Sequence, residues 1–315
     1  MKKDNLAFNE DIQMFLQGKK EQIEIYQEML DGYMALTYYS VLPGIHIAFN
    51  DIHTTTVPVS GGLSFEHSLI VNFCLEGRCE FHLSEDNYSY IDKNHMSVST
   101  RMVQDSFYYP SGFYQGWEIY ALPDTFTDET RQTLKLFAIN FEQLYNLYGK
   151  DVSCITSEPF LTLWKMLDQN RQVYSVGNIR LLCLQILLHL TDQRLLMQSP
   201  QPFLTRTQAA LAKKAQEILL KDLSRHISAA SIAASLGVSE TSLKNYFRSV
   251  YGMNLSTYLN HKRMELAAKL LSESDQNISD IAKVCGYANQ GRFAKVFKDF
   301  YHMKPLDYRR NEHLP

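Results

Sequence analysis

Disulfide and zinc frameworks, a membrane span and the common catalytic signatures are all missing from this sequence. Its five cysteines, Cys74, Cys79, Cys154, Cys183 and Cys285, are odd in number and show no CxxC spacing. They read as reduced thiols, not as staples or metal ligands. No run approaches the roughly 18 uninterrupted apolar residues that a membrane span requires. The polar stretch Met1–Glu10 is followed by no apolar leader, so the expected location is the cytoplasm, with no membrane partner. GxSxG, the phosphate-loop glycine pattern and HExxH are absent, which removes the usual hydrolase, nucleotide-binding and metalloprotease readings. Five histidines, His46, His53, His67, His82 and His95, fall in one region, but no HxH pair or His/Glu cluster groups them. No catalytic residue, metal or cofactor is assigned.

What is present is a division of charge. The 315 residues carry a net −3. Residues 205–310 hold 17 Lys and Arg against 9 Asp and Glu, whereas residues 1–204 hold 14 against 24. A basic module joined to an acidic one is the footprint expected when one half meets a polyanion. The change of sign coincides with Ser199-Pro-Gln-Pro-Phe203, where two prolines disfavour a continuous helix. The expected organisation is α+β: residues 1–200, then an all-α domain over 205–312. Within the first part, residues 1–35 read as helical, with Ile12, Phe15, Ile23, Tyr26 and Leu30 spaced among charges. Residues 36–122 are β-rich, a sandwich or small barrel with strands at Gly44–Ile52, Ser68–Phe73, Cys79–Leu83, Tyr88–Ile91, Met96–Ser99, Ser106–Tyr109 and Gly116–Ala121. Residues 127–197 read as a helical bundle. Its segment Arg180–Leu190 is apolar nearly all round and must be buried in its own domain or against a second chain.

The basic half repeats itself. Ile232-Ala233 and Gly237 recur 49 residues later as Ile281-Ala282 and Gly286. Phe247, Tyr251, Met253 and Tyr258 recur 50 residues later as Phe297, Tyr301, Met303 and Tyr308. The single-residue change falls between the glycine and the next helix, where a turn absorbs it. Each copy reads as a helix-turn-helix: a short helix, a glycine turn, a capping Ser239 or Asn289, then a longer helix. The two longer helices present Thr241, Lys244, Asn245 and Arg248, and Gln290, Arg292, Lys295 and Lys298, outward. Such side chains donate to base edges and phosphates in a major groove. Between the copies, Ser256–Leu271 reads as one unbroken helix of about 24 Å, long enough to hold two reading helices near successive grooves.

At ISAASIAASLGVSETSLKNYFRSVYGMNLSTYLNHKRMELAAKLLSES and ISDIAKVCGYANQGRFAKVFKDFYHMKPLDYRR the chain resembles the arabinose-regulator (AraC/XylS) family of bacterial transcription factors. The resemblance covers about residues 207–310. It implies that Glu240–Tyr251 and Gln290–Phe300 are recognition helices. It puts Thr241, Lys244 and Asn245, and Gln290, Gly291 and Lys295, on base-facing positions. Three residues depart from the family pattern: Gly291 stands where serine is common, His302 where glycine is usual, and Leu255 where proline is usual. The stretches SLIVNFCLEGRCEF, SFYYPSGFYQGWEIYALPDTF and IRLLCLQILLHL look like the sensor half of the pyochelin-type branch. That likeness implies small-molecule sensing, with a siderophore or iron chelate among the effectors. It also implies a homodimer with a contact near Leu184, Leu188 and Leu195, and RNA polymerase as a partner if the protein is an activator.

The β-rich region offers aromatic residues for an effector, Trp117 and Tyr120 foremost, and Arg78 and Arg101 to meet an anion. The leading function is a one-component regulator of double-stranded DNA. Two alternatives stay open: a ligand-independent regulator whose first domain dimerises or binds a protein, and a metal-binding or enzymatic barrel tethered to a DNA-binding domain.

Overall fold

A computed structural model describes residue 15 and residues 20–58, 68–84, 86–100, 106–148, 153–155, 157–169, 171, 173, 175–192 and 203–312. Arg101, Leu195 and Pro200–Pro202 lie outside the described residues. The chain divides into two compact units, Met1–Phe203 and Leu204–Pro315.

The first unit is an antiparallel sheet with helices packed on one face. Its strands are β1 (Gln22–Met29), β2 (Gly32–Leu42), β3 (Ile45–His53), β4 (Thr56–Pro58), β5 (Leu69–Ser84), β6 (Asn87–Asp92), β7 (Met96–Ser99), β8 (Ser106–Tyr108) and β9 (Tyr114–Ala121). The main path runs β1-β2-β3-β9-β5-β6; β7 pairs with β5, and β4 with β8. Helices α1 (Asp128–Leu136), α2 (Phe141–Tyr148), α3 (Glu158–Gln169) and α4 (Val176–Thr191) follow, with a short strand β10 (Ser153–Ile155) between α2 and α3 that pairs with β7.

The helical reading of residues 1–35 is corrected from residue 22 on. Ile23 and Ile25 are buried between exposed Gln22, Glu24 and Tyr26, which is the period of a strand. Tyr26 is 65% exposed, so the helical spacing of Ile23, Tyr26 and Leu30 is not a buried stripe. Met29 and Gly32 close a hairpin on the turn Leu30-Asp31, and the Asp31 carboxylate accepts hydrogen bonds from the Thr54 and Thr55 hydroxyls. The two strands expected on either side of Glu76-Gly77 are one, β5, with a bulge between Cys74 and Glu76.

Alternation along the strands makes two different faces. Ile45, Ile47 and Phe49 of β3 and Trp117, Ile119 and Ala121 of β9 join the core beneath the helices, with Phe73 stacked on Trp164 at 5.1 Å. The other face gathers Ile23 and Ile25 from β1 together with Phe81 and Ile91 from β5 and β6. Strands at opposite ends of the path therefore share one core, so the sheet curls. In α4 the buried side holds Ile179, Leu182, Cys183, Leu184, Ile186, Leu187 and Leu190, while Leu181 and Leu188 remain on the solvent side.

The second unit is helical: α5 (Arg206–Leu220), α6 (Ala229–Ser235), α7 (Glu240–Tyr251), α8 (Leu255–Glu273), α9 (Ile278–Val284), α10 (Gln290–Tyr301) and α11 (Pro305–Glu312). A capping box between Thr205 and Gln208 starts α5, and Ser228, Ser239, Asn254 and Asn289 cap α6, α7, α8 and α10 through their side chains.

Candidate nucleic-acid interface

The sequence repeat is a repeat of packing. Phe247, Tyr251 and Tyr258 form an aromatic triad with centroids 4.4, 5.4 and 4.8 Å apart. Phe297, Tyr301 and Tyr308 reproduce it at 4.7, 5.4 and 5.2 Å. The edge-on pair has an interplanar angle of 82° in the first copy and 85° in the second. In each copy a glycine with positive φ makes the turn, Gly237 at 70° and Gly286 at 77°. The extra residue of the second copy falls in Tyr287-Ala288, before the Asn289 cap.

These cores decide which side chains face out. In α7, Leu243, Phe247, Val250 and Tyr251 are buried, which leaves Thr241, Lys244, Asn245 and Arg248 exposed. In α10, Phe293 and Phe297 are buried, and Gln290, Gly291, Arg292, Lys295 and Lys298 are exposed. Glu240, in the first turn of α7, holds the Lys244 ammonium at 2.5 Å; a Glu four residues before a Lys on a helix announces the pair, and the outward-face reading of the sequence does not include it. The 19 residues of α8 span about 28 Å. Two cationic faces carried on one such strut suit two major grooves about 34 Å apart.

A family described as a helix-turn-helix domain matches residues 232–311. The probable transcription factor PqrA of Proteus vulgaris is 34% identical over 85 residues, 27% of this chain and 70% of that protein. The chain belongs to the AraC/XylS family. A putative AraC-like transcription regulator of Streptomyces lividans is 32% identical over 31% of this chain and 32% of its own length. The HTH-type transcriptional activator RhaR of Yersinia pseudotuberculosis is 44% identical over 22% of this chain and 24% of its own. Beyond the Proteus protein, the matches thus span about a third or less of the curated relatives. Among solved structures, the C-terminal domain of the response regulator AraT from Geobacillus stearothermophilus is 29% identical over 33% of this chain and 88% of that one, with a TM-score of 0.32. ToxT from Vibrio cholerae covers 84% of this chain and 98% of its own, at 14% identity and a TM-score of 0.30. The AraC/XylS membership makes this a bacterial DNA-binding transcription regulator.

In the first unit, the residues expected to meet an effector are dispersed. Trp117 is fully buried beneath the helices, edge-on to Phe49 at 5.2 Å. Tyr120 points to the opposite face. Arg78 is ion-paired with Asp92 and lies 5.3 Å over the Tyr90 ring. What that opposite face does assemble is a buried polar group centred on Glu118, which is 7% exposed. Asn50 donates to one carboxylate oxygen at 2.9 Å, Asn72 to the other at 3.3 Å, and the Tyr120 hydroxyl donates as well. Tyr114 extends the chain by donating to Asn72 at 2.7 Å. Burial raises the Glu118 pKa against the pull of these donors. Among the described residues no lysine, arginine or histidine pairs with it. His46, opposite Tyr120 in the β3–β9 register, is 3% exposed, and neither ring nitrogen has a hydrogen-bond partner among the described residues. Burial lowers its pKa to about 4. Phe15 covers it, with ring centroids 4.8 Å apart. No sequence signal singles out this cluster, because β3 also carries Asp51 and His53 and β9 also carries Gln115.

Proposed function

We propose that this regulator is a one-component activator that reads DNA through α7 and α10 in two successive major grooves, under control of a small molecule in its first unit. The observation that carries the reading of DNA is the pair of congruent helices, each with its apolar side consumed by an aromatic triad and its cationic side exposed. Thr241, Lys244, Asn245, Gln290 and Lys295 are assigned to base edges; Arg248, Arg292 and Lys298 to phosphates. Activation, with RNA polymerase as partner, is supported by the activator name carried by the Yersinia relatives. A homodimer through α4 is supported by Leu181 and Leu188 on its solvent side.

The test of the DNA reading is anisotropy of labelled genomic fragments with the full chain across a salt series. Affinity falls steeply as salt rises, because phosphate contacts release counterions. Asn245→Ala relaxes preference at one or two base pairs by about 1–3 kcal/mol, whereas Lys298→Ala weakens every sequence alike. No binding to any fragment at low salt refutes the reading.

The chemistry around Glu118 supports an effector class. A buried carboxylate that meets only neutral donors among the described residues, near a histidine whose two nitrogens find no partner among them, suits a small cation or a donor-rich neutral molecule better than an anionic iron chelate. A thermal-shift screen of small amines, polyols, carboxylates and iron chelates tests this. Amines and polyols stabilise the parent and fail to stabilise Glu118→Gln; stabilisation confined to carboxylates or chelates overturns it.

A further inference from the structure

Arg263 is the one charged side chain buried among the described residues of 204–312, at 8% exposure in the middle of α8. Its Nε donates to the Leu223 carbonyl at 2.8 Å and its Nη2 to the Arg225 carbonyl at 3.0 Å. Both carbonyls belong to the segment between α5 and α6, the entry to the first helix-turn-helix. The same guanidinium also meets the turn of the second. It lies 5.7 Å over the Tyr287 ring, and a Cβ added to Gly286 would sit 2.5 Å from Nη2 and 2.7 Å from Cζ. One planar group thus joins the entry loop of the first helix-turn-helix to the turn of the second, and a methyl group at Gly286 would crowd both the guanidinium and, at 2.8 Å, the Leu223 carbonyl.

This placement has a consequence for two-groove reading. The helix α8 sets the distance between the two helix-turn-helix copies, while the way each copy packs around it sets their relative rotation. A guanidinium fork bonded to two carbonyls fixes direction as well as distance, which an ammonium does not. We propose that Arg263 is a positioning residue that sets the phase of α10 relative to α7, and so the spacing between half-sites that the protein accepts. The proposal rests on the reading of both helices as DNA-reading elements.

The test uses the full chain and a duplex that the parent itself selects from a random library. Versions of that duplex with one base pair inserted or removed between the half-sites rotate one half-site by about 34° and shift it by about 3.4 Å. The parent loses about 30-fold in affinity on either change, the scale of a badly placed set of base contacts. Arg263→Ala binds the selected duplex about tenfold more weakly, and either spacing change then costs it less than about threefold. Arg263→Lys keeps the charge and loses the fork, so it falls between the two. Gly286→Ala, at φ +77° and 2.8 Å from the Leu223 carbonyl, pushes both the guanidinium and the turn out of place and flattens the spacing profile in the same direction, which keeps the test open if Arg263→Ala fails to fold. The salt dependence of all variants matches the parent, since Arg263 touches no phosphate. A uniform loss at every spacing, with the parent's penalty preserved in Arg263→Ala and Gly286→Ala, reduces Arg263 to a structural contact and overturns the proposal. Failure of the parent to select any duplex is a different result, and it removes the DNA reading instead.

Discussion

Glu240 occupies the first turn of α7, beside the residues assigned to DNA, and it restrains Lys244. Its replacement by glutamine separates folding from binding because the two effects have opposite signs. A carboxylate at a helix N-terminus contributes about 0.3–1 kcal/mol through the helix dipole. An exposed pair four residues apart adds about 0.3–0.5 kcal/mol, reduced here by screening, since both side chains are roughly half exposed. Glu240→Gln therefore loses about 0.5–1 kcal/mol of stability, a fall of about 4 °C in the midpoint of the helical unit. On DNA bound as proposed, the same change releases Lys244 and removes a negative charge next to the phosphates. Near water a repulsion of this kind is about 1 kcal/mol at 4 Å. Affinity accordingly rises about fivefold, and the salt dependence steepens by up to about one unit of slope as Lys244 engages. Thermal unfolding and competition anisotropy at one fixed salt concentration measure the two halves. A variant that is less stable and binds DNA no more tightly refutes the placement of α7 against the duplex.

Other outcomes follow from single positions. His302 ends α10 at φ +57°, where the first copy has Gly252 at +71°. Relief of the left-handed strain exceeds the added chain entropy of glycine, so His302→Gly stabilises by about 0.5–1 kcal/mol in urea unfolding, and Gly252→Ala destabilises by about 1 kcal/mol or more. Equal and neutral effects at both positions refute the equivalence of the caps. His46 is neutral when folded, with its pKa lowered to about 4 from 6.5, so its stabilising contribution is complete above pH 6.5 and is lost as pH falls toward 4. The loss amounts to about 3 kcal/mol, and His46→Phe abolishes that part of the pH dependence of unfolding. A parent stability that is flat between pH 7 and 4 contradicts this. The proposed homodimer predicts that the parent is dimeric in light scattering and that Leu181→Lys with Leu188→Lys leaves α4 folded and makes it monomeric; a parent monomer, or a dimer that persists in the variant, refutes the α4 contact.

The helical half was readable because two independent signals coincided. Gly237 and Gly286 marked turns, and Phe247 with Phe297 marked cores at a fixed offset, so each copy checked the other. The first unit offered no such check. Ile23, Tyr26 and Leu30 fit a helical period, and Ile23 with Ile25 fits a strand; only pairing with β2 decides between them. The same limit explains the effector residues. Trp117 and Tyr120 are three apart, and in a strand that puts them on opposite faces. Glu118 was passed over because an isolated acidic residue means little until Asn50, Asn72 and Tyr120, from three strands, close around it.

Helix α8 belongs to both helix-turn-helix copies. Tyr258, near its start, completes the first aromatic triad, while Met264, Ala267, Ala268 and Leu271 lie in the core of the second copy. Neither copy retains a closed interior once α8 frays, so a solvent-exchange experiment sees one opening event and not two. The backbone amides of α8 are then the slowest to exchange in the helical unit, and destabilising either copy accelerates them all together. A duplicated motif that would be expected to come apart in halves instead melts as a whole.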